Sequence, residues 1–117
     1  MADHKHLRVE ETGDVAVIHF RDRWLKDFDQ LEELGRELYE LVETETPPKL
    51  VLDFSGIEFL SSSALGKFIS LHGKLRSRGG SMRLCSLQPQ ILDVFLICRL
   101  DQLFDIKKGL PEALSSF

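Results

Sequence analysis

Between Asp27 and Arg78 the spacing of apolar residues changes period twice, and few folds are open to a chain that does this. From Asp27 onward, Phe28, Leu31, Leu34, Leu38, Leu41 and Val42 recur at steps of mostly three and four, with Glu32, Glu33, Arg36, Glu37, Glu40 and Glu43 between them. This is the pattern of an acidic amphipathic helix over about residues 28–45, starting near Asp27 as a cap. Pro47-Pro48 stops it, because a proline cannot donate a backbone hydrogen bond and pushes the residue before it out of the helical region. The next segment, KLVLDF over Lys49–Phe54, is a nearly continuous apolar run of strand length, as expected for a central strand covered on both faces. After the loop SGIEFL, helical spacing returns from Ser61 to Arg78, with Leu65, Phe68, Ile69, His72 and Leu75 on one face, and Gly79-Gly80 ends it.

The flanking segments extend the alternation. LRVEET and VAVIHF, either side of Gly13-Asp14, read as a hairpin opening the chain. SMRLCSL reads as a strand, followed by a helix over about residues 89–98 with Ser86 as its candidate cap, a strand DQLFDI and a last turn PEAL. Strands alternating with helices at this spacing predict an α/β fold with right-handed crossovers: a mixed four- or five-stranded sheet with helices packed on it. The expected layout is a polar N-terminal tail over residues 1–6 and one domain over residues 7–117, a length that can bury a single core.

Several functions are disfavoured. No apolar run approaches the ~20 residues that span a bilayer, and the start is polar rather than basic-then-apolar, so a cytoplasmic, non-membrane protein is expected. Fifteen Lys and Arg against nineteen Asp and Glu give a net charge of −4, which argues against nucleic acid. Cys85 and Cys98 lack CxxC spacing and are expected as reduced core residues. His4 and His6 read as part of a solvated tail rather than a metal site. His19, in a strand, and His72, on an apolar helix face, read as packed and hydrogen-bonded. Arg76, Arg78 and Arg83 flank a glycine pair that follows a helix, and read as solvated charges around a helix stop. No nucleophile with a base, metal cluster or phosphate-cradling loop is evident, so neither an enzyme nor a cofactor is expected.

Ser61, Ser62 and Ser63 stand where the second helix begins, and the plainest role for serine there is to cap orphan backbone amides. A phosphate at the same place would gain from those amides and the helix dipole while adding about −1.5 to −2 charges to the surface. The run VLDFSGIEFLSSSALGKFI resembles the signature of the STAS domain, the module shared by sulphate transporter tails and anti-sigma factor antagonists. In that family a strand ending in Asp-x-Ser leads through an apolar loop to Asp-Ser-Ser-Gly-Leu-Gly at a helix start. The resemblance implies a STAS-like fold, with Asp53 and Ser55 at the strand end, Phe59 in the loop and Leu65-Gly66 anchoring the motif. It places Ser62 on the phosphorylated serine, with Ser61 and Ser63 as competitors. Ser61 replaces the motif's acidic residue and Ala64 its first glycine. WLKDFDQLEEL similarly resembles the family's turn before the first helix, placing Asp27 on its acidic residue, although a helix cap explains Asp27 equally well.

The resemblance implies an anti-sigma factor antagonist that regulates transcription by partner switching. It would bind an anti-sigma factor that is also a serine kinase, be released by phosphorylation and be restored by a serine phosphatase. Phe59, Leu60, Ser61, Ser62 and Asp27 would form the contact surface, with one of Phe59 and Leu60 belonging to the core. The alternative is a STAS scaffold or small-ligand-binding module that is never phosphorylated.

Overall fold

A β-hairpin begins the sheet. Strands β1 (Leu7–Thr12) and β2 (Val15–Phe20) pair antiparallel around Gly13, whose φ of +63° suits the two-residue turn. The structure is a computed structural model and describes residues 4–44 and 48–117. After the short β3 (Trp24–Leu25) comes α1 (Phe28–Thr44); then β4 (Lys49–Asp53), the short β5 (Phe59–Leu60) and α2 (Ser62–Ser77); then β6 (Ser81–Cys85), α3 (Pro89–Ile97), a 3-10 turn (Leu100–Gln102), β7 (Asp105–Lys107) and α4 (Leu110–Ser115).

The main sheet has the order β1-β2-β4-β6-β7, with β2, β4, β6 and β7 parallel and only β1 antiparallel, so it is the expected mixed sheet in its five-stranded form. β4 lies at its centre, and alternate residues explain why its sequence is apolar throughout. Leu50 and Leu52 enter the large core beneath α1 and α2, while Val51 faces the opposite side with Val15, Val17 and Cys85, covered by Ala113 of α4. In the large core Phe54 is ringed by Phe20, Phe68 and Phe95, with centroids 5.2–6.0 Å apart in tilted or edge-on arrangements. Gly80 allows β4 and the end of α2 to meet, since a Cβ there would lie 2.5 Å from the Pro48 carbonyl. Gly79, at φ +74°, and the Gly80 N–H to Leu75 carbonyl bond of 2.8 Å close α2 as expected. The proline stop after α1 is described only at Pro48, because Pro47 lies outside the described residues.

Several expectations are corrected. Residues 1–3 of the expected tail lie outside the described residues, but His6 is only 6% exposed, held between Asp22 and Glu33 rather than solvated. Ser86 does not cap α3: it has φ +62°, Gln88 takes the cap position, and Pro89 follows with no N–H to satisfy. Of DQLFDI only Asp105-Ile106 belongs to a strand, because Leu100 and Phe104 pack inward at a helical spacing that holds 100–102 in a 3-10 turn. Cys98 ends α3 exposed, whereas Cys85 is buried and its thiol pKa is pushed up by that burial. Arg83 is not a freely solvated charge, since Asp105 lies 3.0 Å away and the Phe117 ring packs beneath it. His72 packs edge-on against Phe104, and burial, then Arg76, lower its pKa.

Candidate functional site

The chain leaves β4 at the sheet's carboxyl edge, where side chains and loops become accessible. Asp53 turns it: one carboxylate oxygen accepts the Ser55 N–H at 3.0 Å, and the other lies 2.9 Å from His19 Nδ1 on the neighbouring strand. The Ile57 N–H then donates to the Phe54 carbonyl, leaving Ser55-Gly56 exposed at the apex and Ile57 in the core. Phe59-Leu60 next forms a two-residue parallel ladder with Trp24-Leu25, continued by the Ser61 N–H to Leu25 carbonyl bond of 2.9 Å. Alternation on this ribbon sends Leu25 and Leu60 into the core, 0% and 6% exposed, and leaves Trp24 and Phe59 half exposed.

The ribbon delivers the chain to α2. Ser61 has extended backbone geometry, and its Oγ accepts the Ala64 N–H at 3.2 Å, so it is the helix cap. Ser62 and Ser63 occupy the first turn, both exposed. Leu65 is buried and anchors the turn, while Gly66 is exposed with open space where a Cβ would stand.

The β3–β5 ladder also brings the start of α1 to this place, because Asp27 follows Leu25 by two residues as Ser61 follows Leu60 by one. Asp27 is exposed and its carboxylate caps nothing. Instead Gln30 Oε1 accepts the Lys26 and Asp27 N–H groups at 2.9 and 3.1 Å, and its Nε2 donates to the Trp24 carbonyl at 2.6 Å. Phe28 is 75% exposed, contrary to its expected place on the buried face of α1. A helical side chain covers the turn preceding it, and the first residue of a helix has no preceding turn to cover. Ile69, expected on the buried face of α2, is likewise partly exposed on its flank.

A cleft of about 470 Å³ between α1 and α2 is lined by Lys26, Phe28, Ser63, Gly66 and Lys67 among others, and the Lys67–Glu32 ion pair at 2.7 Å crosses it. Arg23 lies over the Trp24 ring at 5.2 Å and pairs with Glu58. The predicted residues Phe59, Ser61, Ser62 and Asp27 therefore meet on one surface, Leu60 is withdrawn to the core, and Trp24, Phe28 and Lys26 join unanticipated. The run WLKDF held the only available signal, two aromatic residues straddling Asp27. Among the described residues no group of three or more His, Cys, Asp and Glu could hold a metal ion, and no helix is long and apolar enough to cross a membrane.

The family model of the STAS domain matches residues 6–113. An anti-sigma-factor antagonist (STAS) domain protein from Planctomyces limnophilus superposes with a TM-score of 0.85 at 23% identity, covering 94% of this chain and 96% of that one. An anti-sigma factor antagonist from Mycobacterium paratuberculosis gives 0.79 at 23% identity, over 94% and 91% of the two chains. The Bacillus cell fate determinant SpoIIAA in its phosphorylated form gives 0.69 at 18% identity, over 94% and 97%. At these identities the structures speak for the fold, and the family model, spanning nearly the whole sequence, speaks for descent: the chain belongs to the STAS domain family.

Proposed function

We propose that this protein is an anti-sigma factor antagonist that regulates transcription in the cytoplasm by partner switching, with Ser62 as its phosphorylated residue. Its partners on this reading are an anti-sigma factor that is also a serine kinase, and a serine phosphatase. The kinase would supply ATP and catalytic groups, so this chain would act as a binding module without a cofactor of its own. One observation carries the reading: an exposed serine opens α2 just after the strand in which Phe59 pairs with Trp24, and Phe28 lines a cleft with the neighbouring Ser63, so three exposed aromatic residues gather around this helix start.

The neighbouring serines have other surroundings, which supports Ser62 over them. The Ser61 hydroxyl is occupied as the α2 cap. Ser63 lines the cleft with Lys67 four residues on, where a phosphate would find a cation. Four residues after Ser62 stands Gly66, so no side-chain cation one helical turn on meets a phosphate there, and its charge is left to oppose a dry interface. Incubation with a co-encoded serine kinase and ATP, with phosphate mapped by mass spectrometry, tests the assignment. Ser62→Ala should abolish labelling yet bind the unphosphorylated-state partner nearly as wild type, and Ser62→Asp should lose about 2–5 kcal/mol of binding in calorimetry. Wild-type labelling of Ser62→Ala, or equal binding by both variants, removes the switch. The cleft beside Ser63 favours the second reading, a small-ligand-binding or purely scaffolding STAS module, which such a result would leave standing.

A further inference from the structure

Away from the serine cluster, α3 is covered far less than its sequence demands. PQILDVFLI holds six large apolar residues and one charge, yet only Ile91 and Phe95 are buried; Leu96 is half exposed and Ile97, at 81%, is the most exposed large apolar side chain among the described residues. Behind this ridge runs a groove of about 360 Å³ lined by Leu87, Leu92, Leu96 and Ile106, with Asp101, Lys107 and Lys108 also lining it. The groove lies between α3 and β7, the edge strand of the sheet.

We propose that this face binds a second copy of the chain, α3 against α3 about a two-fold axis near Leu96, with Ile97 of each copy seated toward the groove of the other. A two-fold interface uses one patch twice, so that patch must carry both a projection and a recess. Here both are present, on adjacent residues of one helix. The charges select the occupant. Asp101 and Lys108, both exposed at the groove, form no ion pair among the described residues. A single-signed foreign segment would meet a like charge on one side. A two-fold copy sets Asp101 against Lys108 twice. The groove meets the serine end of the sheet only at the start of α3, where Gln88 Nε2 donates to the Ser55 carbonyl at 3.1 Å; α3 then crosses back to the start of β7, which carries Leu96, Ile97 and Asp101 toward the opposite edge.

Sedimentation equilibrium of the purified, unphosphorylated chain provides the test. A dimer with a Kd at or below about 100 μM is expected, and Ile97→Asp, at an exposed position, should raise that Kd at least about tenfold with an unchanged melting temperature. Asp101→Lys and Lys108→Asp should each weaken the dimer, and the two together should restore it. A wild-type chain still monomeric at about 0.5 mM, a dimer indifferent to Ile97→Asp, or a double charge variant weaker than either single one would each overturn the proposal.

Discussion

At the scale of single residues, neighbouring side chains of one type divide the work. Ser61 holds α2 while Ser62 faces outward, so Ser61→Ala should cost about 1 kcal/mol in chemical denaturation and Ser62→Ala close to nothing. His6 is the chain's other conspicuous residue: Nδ1 lies 2.6 Å from Asp22 Oδ2, Nε2 lies 3.0 Å from Glu33 Oε1, and its backbone N–H donates to Glu37. Donating to both carboxylates requires N–H groups on both nitrogens, so it is the imidazolium form that joins the start of β1 to α1 and to the approach to β3. Burial alone would lower its pKa, but the bonds to Glu33 and Asp22 outweigh this and hold it above the ordinary histidine value. Its contribution is therefore complete below the ordinary value and is lost as pH rises through the raised one. Glu33, held below the usual carboxylate range by His6 and then Lys5, contributes above that range and loses its share as pH falls through its lowered value. Melting curves should show His6→Ala destabilised by about 1–3 kcal/mol near pH 6, with the difference shrinking toward about pH 9. A constant difference would mean that only packing is lost.

At the scale of elements, what the sequence disclosed depended on length. A long helix repeats its pattern several times, so α1 and α2 are found within a residue of their expected bounds, and the Lys49–Asp53 run gives β4 its central place. β3 and β5 have two residues each, too few to show any period, and their pairing links segments more than thirty residues apart. Trp24 is therefore not legible in the sequence as a surface residue, and only its ladder with Phe59 brings it to the strand that leads into α2. The turns after β6 and α3 were equally hidden, because Ser86 and Arg99 adopt positive φ without the glycine that would have announced it. The serine cluster was legible because a helix start is marked in sequence by its cap, while the aromatic part of the surface depended on tertiary pairing. Trp24 is the chain's sole tryptophan and half exposed. Its fluorescence should shift to shorter wavelength when the partner covers it, and Phe59→Ala should weaken that binding by about 1–3 kcal/mol. An unmoved spectrum at saturation would take β3 out of the interface.

At the scale of the whole molecule, the two sides of the sheet are unequally protected. One carries α1, α2 and α3 over a core of some twenty-five buried residues, and the other carries α4, six residues long, over Val15, Val17, Val51 and Cys85. Local opening is expected at the thinner cover first, since fewer apolar contacts resist it. Arg83 restrains it, reaching Ser116 Oγ at 2.9 Å and the Phe117 ring at 4.4 Å. Cys85, sealed beneath this helix, makes the motion measurable. In a Cys98→Ser background it is the one thiol left, and a thiol-reactive chromophore can reach it only after α4 lifts. Labelling should then be at least about a hundredfold slower than for an open thiol, and Ala113→Gly, loosening the helix by about 1 kcal/mol, should quicken it about fivefold. Labelling no faster than global unfolding would mean that the helix never lifts alone. A buried sulfur thus becomes a clock for how often the thin side of the protein breathes.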